Sequence, residues 1–259
     1  LPIWDGQGHT HLQFFAVVQI AREKARQQFR DAAINAHARL SVLVQGKQAL
    51  DADAFQVVGM GGGLTAVMAK KCRQTRAVVA LGGVGRLRLI DDDEVSLSNL
   101  QRQILFRSTD VGVSKAERAQ AALAALNDNV AVEVERKRLD ASNAAYLLQG
   151  ATVVLDGTDD FGTRFAVNAA CHELGAPLVS GAVGRWSGQV ATFPPEGPCY
   201  RCFVPETPPE AETCAQVGIV GALTGVIGSL MALEAIKHIA GAGETLKGRV
   251  FLFDGLSSD

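Results

Sequence analysis

The chain lacks an excess of charge of either sign: 25 Lys and Arg stand against 27 Asp and Glu in 259 residues, a formal net charge of -2. With no basic stripe to follow a nucleic-acid backbone, no nucleic-acid partner is expected. Cysteine is scarce. The five present are an odd number in a long chain, which argues against a disulfide scaffold and for a reducing compartment. The start, Leu1-Pro2-Ile3-Trp4-Asp5, has no basic region, apolar run or small-residue cleavage site, so no secretory signal is read there and a cytoplasmic location is expected. Internal repeats and low-complexity tracts are also missing. One uncharged stretch, residues 213–233, has about the length a bilayer span needs. It carries Gln216, Ser229, Gly218, Gly221, Gly225 and Gly228, and small residues recurring along a helix let a second backbone approach. A buried helix ending near residue 240 is expected, and no membrane partner.

What the chain does have is apolar residues, 47% of the total, arranged in short runs suited to buried parallel strands. These fall at residues 55–58, 87–90, 130–134, 152–155 and 178–180. Helical patterns at 64–81, 115–126, 142–148 and 162–174 separate them, and such alternation implies right-handed crossovers in a largely parallel sheet. Residues 188–193 and 249–253 read as strands of a mixed or antiparallel extension. The expected fold class is therefore α/β, a doubly wound, largely parallel, Rossmann-like sheet with that extension. Residues 1–45 form a separate N-terminal helical segment in this reading, and 46–259 the main domain. The proline- and glutamate-rich stretch 205–213 is expected to be an exposed loop, of the kind that can act as a lid.

Several chemistry-bearing residues follow the expected strands. Gly59-Met60-Gly61-Gly62-Gly63 has the composition of a phosphate-binding turn, in which backbone N–H groups and a helix start meet an anion; a simple tight turn has the same composition. The next strand ends at Asp91-Asp92-Asp93-Glu94, where nucleotide-binding folds place an acid on the ribose hydroxyls. A dinucleotide fold spaces glycines and acid by about 20 residues, whereas Gly63 and Asp91 are 28 apart, so a nicotinamide enzyme loses ground. Asn99, Arg102 and Lys115 supply an amide and two cations, suited to charge developing on an α-phosphate and a leaving pyrophosphate. Taken singly, either cation reads as an ordinary surface residue. Asp159, after the fourth strand, is a carboxylate suited to magnesium, which takes one or two carboxylates plus substrate phosphates. Cys199 and Cys202 have the spacing of half a tetrahedral zinc site. Cys214, ahead of the long helix, is open to a role as a thiol nucleophile, while Cys72 and Cys171 read as buried small apolar residues.

Taken together, Asp91-Asp92-Asp93-Glu94-Val95-Ser96-Leu97-Ser98-Asn99-Leu100-Gln101-Arg102-Gln103, residues 112–115, Asp156-Gly157-Thr158-Asp159, Pro198-Cys199-Tyr200-Arg201-Cys202, Thr213-Cys214 and residues 225–237 resemble the MoeB/ThiF family. These are bacterial relatives of ubiquitin-activating enzymes. The resemblance implies a homodimer that binds ATP and magnesium and adenylates the C-terminal glycine of a ubiquitin-like sulfur-carrier protein, in molybdopterin or thiamin biosynthesis, with the molybdopterin branch preferred. It further implies that Gly59, Gly61 and Gly62 line the nucleotide, Asp91 and Asp93 bind it, and Asn99, Arg102 and Lys115 contact phosphates. Asp159 would bind magnesium, Cys199 and Cys202 would bind structural zinc, and Cys214 would stand where some family members form a covalent link to the carrier.

Departures from the family pattern lie at the glycine run, which is followed by Leu64 and Thr65 and by extra residues such as Lys70, Lys71, Cys72 and Arg73. The family's N-terminal arginine, which reaches into the partner's site, has Asn35 at the nearest position and Arg39 nearby. A second cysteine pair is missing, and a truncated C-terminus is expected. The rival readings are a nicotinamide- or flavin-dependent oxidoreductase and a non-catalytic scaffold of the same fold.

Overall fold

The computed structural model describes residues 65–68, 84–207 and 218–257, all within one unit spanning Gln56–Asp259. The expected boundary after residue 45 lies outside the described residues. Seven strands form one sheet: β1 (Thr65–Met68), β2 (Arg86–Ile90), β3 (Ala131–Glu135), β4 (Val153–Asp156), β5 (Leu178–Val183), β6 (Ser187–Phe193) and β7 (Val250–Asp254), in the order β3-β2-β1-β4-β5-β6-β7. The first five are parallel, and β6 and β7 add antiparallel to β5. Among the described residues the helices are α1 (Lys115–Leu126), α2 (Ala144–Leu148), α3 (Phe161–Leu174), α4 (Tyr200–Phe203) and α5 (Gly221–Ala240).

Each strand alternates its side chains between the two faces. Ala66, Met68, Leu87, Leu89, Val153 and Leu155 join one apolar cluster, which α1 covers with Ala119 and Leu123 and α5 covers with Ile227 and Met231. Val67, Ile90, Val154 and Leu178 face the other way, where α2, α3 and α4 supply Leu147, Val167 and Tyr200. Burial on both faces explains why the strands read as continuous apolar runs.

One assignment from sequence is overturned. Residues 64–81 read as a helix, yet β1 occupies its beginning. Ala66, Val67 and Met68 are wholly buried between β2 and β4, and three apolar residues cannot be told from a helical turn by periodicity alone. The expected strand at 55–58 lies outside the described residues. The glycine run at 59–63 also lies outside the described residues, and β1 begins two residues after it. The other strands lie within a few residues of their expected places, and β5 runs three residues longer.

Helix α5 is long and apolar enough to cross a membrane by length and composition, but one face is buried against the sheet and its middle carries a buried carboxylate. Glu234 accepts hydrogen bonds from Thr192 Oγ1 of β6 (3.0 Å) and from the Leu246 N–H (2.6 Å), and it pairs with Lys237. Glycines on the strands also allow close approach: a Cβ at Gly181 would overlap Met231, and one at Gly188 would overlap Ile227. Thr192→Val removes the hydroxyl donor from a buried charged acceptor and is expected to cost about 1–3 kcal/mol, read as a lower urea midpoint at unchanged m-value.

Candidate functional site

Met68 of β1 pairs with Leu89 of β2 on one side and with Leu155 of β4 on the other. Asp91, two residues beyond Leu89, and Asp156, the residue after Leu155, therefore leave the same edge of the sheet about 10 Å apart, two strand spacings. This is the carboxyl edge on either side of the central strand, where open α/β sheets bind ligands.

Asp91 is wholly buried at the end of β2, where its Oδ1 accepts from the Asp93 N–H (3.2 Å). One carboxylate oxygen from each of Asp91, Asp92 and Asp93 lies within 4.8 Å of the others, so negative charge is concentrated at this strand end. The chain then turns back on itself. The Val95 N–H donates to the Val113 carbonyl (2.9 Å), the Gly112 N–H to the Val95 carbonyl (2.8 Å) and the Lys115 N–H to the Asp93 carbonyl (3.0 Å). Gly112 makes the return at a φ of 85°, a conformation that costs glycine nothing. This short ladder delivers Lys115, first residue of α1, to the acidic end, where its Nζ lies 2.7 Å from Asp93 Oδ2. The lysine is 5% exposed, and a buried cation of this kind is held by its carboxylate partner.

Between the arms of the ladder lies a 3-10 turn, Leu97–Asn99. Asn99 is buried; its Oδ1 accepts from the Ser96 N–H (3.4 Å) and its carbonyl from the Arg102 N–H (3.1 Å). Arg102 is half-buried, and its Nη1 donates to the Ser98 carbonyl (2.9 Å). The start of α5 supports this turn from behind: Thr224 Oγ1 donates to the Arg102 carbonyl (3.3 Å), and a Cβ at Gly221 would overlap the Gln101 carbonyl oxygen. That obstacle is backbone, which cannot rotate aside.

From β4 comes the second acidic segment. Asp156 Oδ1 accepts from the Thr158 N–H (2.9 Å), Asp159 is half-buried, and Asp160 caps α3 by accepting from the Thr163 N–H (2.9 Å). The Thr163 side-chain hydroxyl, with the backbone N–H groups of Thr163 and Gly162, holds the Asp160 carboxyl below the usual carboxylate range.

The structure thus brings Asp91, Asp93 and Lys115 into one cluster, places Asn99 and Arg102 in the connecting turn, and sets Asp159 on the same sheet edge. Gly59, Gly61, Gly62 and Cys214, like Asn35 and Arg39, lie outside the described residues. Cys199 and Cys202 are held elsewhere, against the middle of α3. Their Sγ atoms are 3.8 Å apart, the edge of a tetrahedron drawn around an ion about 2.3 Å from each sulfur. Two thiols so placed fit one half of a structural zinc site. Burial pushes the Cys199 thiol up, but the Asn168 side chain and the N–H groups of Cys202 and Arg201 outweigh it and hold the group below its ordinary range. Cys171 is buried as expected, its thiol pushed up first by burial and then by the charge of Asp156.

Sequence reasoning passed over Arg164. It lies on the face of α3 that buries Val167, Asn168 and Cys171, and an arginine in register with apolar and amide neighbours three and four residues along was the available signal.

Residues 36–259 match the ThiF family model. The SAMP-activating enzyme E1 of Haloferax volcanii is 40% identical over 215 residues, covering 82% of this chain and 76% of the relative. The sulfur carrier protein adenylyltransferase of Thermus thermophilus is 40% identical over 222 residues, covering 83% and 79%. The adenylyltransferase and sulfurtransferase MOCS3 of Drosophila persimilis is 43% identical over 217 residues, and there the match spans only 46% of the longer protein. Among solved structures, Escherichia coli MccB with succinimide superposes with a TM-score of 0.64 at 20% identity, over 75% of this chain and 62% of that one, which shows a shared fold. The family match and the relatives at 40% identity place the chain among nucleotidyltransferases of the kind related to ubiquitin-activating enzymes. The chain belongs to the ThiF family.

Gly221→Ala would force the Gln101–Arg102 backbone outward. It is expected to lower the thermal midpoint by several degrees, as a 1–3 kcal/mol overpacking cost does, and to weaken nucleotide binding in a titration of the folded variant.

Proposed function

We propose that the protein activates the C-terminal carboxylate of a small ubiquitin-like sulfur-carrier protein by adenylation with ATP. The observation that carries this reading is the buried Lys115 paired with Asp93 on the sheet edge shared with Asp159. A dehydrogenase has no need of a cation buried there. Two relatives at 40% identity, one named for a sulfur-carrier protein and one for SAMP, support the same chemistry.

In this scheme the acidic strand end at Asp91 accepts hydrogen bonds from the ribose hydroxyls and fixes the nucleoside. Asn99, Arg102 and Lys115 lie along the triphosphate. A carboxylate oxygen of the carrier's terminal glycine attacks the α-phosphorus, the bond from that phosphorus to the bridging oxygen breaks, and pyrophosphate leaves with the electron pair. Arg102 and Lys115 stabilise charge at the α-phosphate and on the leaving group, and the work of the site is positioning and charge neutralisation. Lys115 exchanges its contact with Asp93 for one with phosphate oxygen. Asp159 would hold magnesium, which when bound offsets the charge of the phosphates. Cys199 and Cys202 would hold half the ligand set of a structural zinc. The family resemblance further supports a cytoplasmic homodimer serving the molybdopterin branch, with thiamin synthesis as the alternative.

Carrier-dependent exchange of labelled pyrophosphate into ATP tests the whole reading; its absence with carriers of both branches would rule out adenylation. Asp159→Ala is expected to abolish exchange in a protein with an unchanged circular dichroism spectrum. Lys115→Ala is expected to slow it by about a hundred- to a thousandfold, the loss typical of one preorganised donor to a developing anion; unchanged kinetics would remove Lys115 from the site.

A further inference from the structure

Adenylation, as just described, leaves unused a heavily engaged side chain on this side of the sheet. Arg164 stands in the first turn of α3, 5% exposed, with its guanidinium directed at groups on the ends of two neighbouring strands. Nη1 donates to Ser180 Oγ (2.9 Å) and lies 3.8 Å from Asp156 Oδ2, and Nη2 donates to the Gly181 carbonyl (2.8 Å) and to the Thr158 carbonyl. The last paired residues of β4 and β5 are Asp156 and Ser180, so Gly181 is the first residue of β5 with no β4 neighbour. Arg164 supplies the N–H that such a neighbour would have offered. The Tyr200 ring, 5.7 Å from the guanidinium carbon, closes the other side.

Stability alone is a poor account of this arrangement. Burying the charge costs several kcal/mol after relaxation, and apolar replacements of buried ion pairs are often neutral or better. The carboxylate at 3.8 Å is too far for a hydrogen bond. Asp156 Oδ2 and Thr158 Oγ1 are both buried without a hydrogen-bond partner, at about 1–3 kcal/mol each. What the arginine provides is a rigid planar fork that pins one carbonyl, that of the residue directly before Asp159.

We propose that Arg164 is the positioning residue for Asp159: its grip on the Thr158 carbonyl and its charge beside Asp156 set the backbone from which Asp159 meets the magnesium of bound nucleotide. This rests on the adenylation reading and adds a residue to it. Arg164 touches neither nucleotide nor metal and acts through the 156–159 loop.

The test is binding of the non-hydrolysable analogue AMP-PNP to the whole chain by titration calorimetry, with and without magnesium. Wild type is expected to bind more tightly with the metal. Arg164→Lys, which keeps the charge and loses the fork, is expected to match wild type without magnesium and to lose roughly ten- to a hundredfold of the magnesium-supported gain, the usual effect of removing an outer-shell partner of a metal ligand. Asp159→Asn, as a comparison, loses the same gain. A merely structural arginine would lower the thermal midpoint and the binding-competent fraction while leaving that gain intact in the remainder, and this result overturns the proposal. Should Arg164→Lys fail to fold, Ser180→Ala decides, since it deletes one hydroxyl contact: a reduced gain supports the role and an unchanged gain overturns it. If wild type showed no magnesium-dependent binding of AMP-PNP, the nucleotide reading beneath the proposal would fall first.

Discussion

The register of three adjacent parallel strands governs the site. With Met68 set between Leu89 and Leu155, two acidic segments 65 residues apart in the chain, beginning at Asp91 and Asp156, emerge on one edge of the sheet. Parallel pairing demands crossovers, and the crossovers put helices over both faces. The edge is left to the loops, where polar groups can gather without disturbing the core. A slip of one residue in β2 would turn Ile90 away from Val67 and Val154, its partners in the apolar cluster, and carry Asp91 with it.

Around that edge two different devices hold the charged groups. On the β2 side the short ladder between residues 93–95 and 112–115 folds the chain back through Gly112, so Lys115 and Asp93 meet by local geometry. On the β4 side a side chain from α3 reaches across strand ends to hold the Thr158 carbonyl. Helix α5 serves both the core and the site, because its buried face packs on β5 and β6 while its first residue abuts the Gln101 backbone. Its apolar character answers to the sheet, as the buried Glu234 makes plain. A carboxylate bonded to Thr192 and Leu246 requires protein on that side of the helix.

Most of the site was legible because its residues lie close together in the chain. Asp91, Asp93, Asn99, Arg102 and Lys115 fall within one stretch of 25 residues after an unmistakable apolar strand, and turn chemistry ties their positions to each other. Asp159 was legible for a similar reason, as the polar end of a second apolar run. Strand β1 was not, since Ala66-Val67-Met68 carries no alternation once both faces are covered, and the good helix formers Ala66 and Met68 mislead in so short a run. The closeness of Cys199 and Cys202 was legible from their spacing, and the structure sets their Sγ atoms 3.8 Å apart.

By itself the sequence determined the class of sheet, the acid-and-cation stretch behind its second strand and the family resemblance those residues carry, because each depends on periodicity or on neighbours a few positions away. Only the tertiary structure decided which segment is the central strand, that α5 braces the Arg102 turn, and that Arg164 holds the carbonyl before Asp159. Those outcomes depend on partners brought together from separate elements, such as Gly221 against Gln101 and α3 against the ends of β4 and β5. Contacts of that kind are settled by the competition for buried space and for hydrogen-bond partners across the whole fold, which no local pattern records.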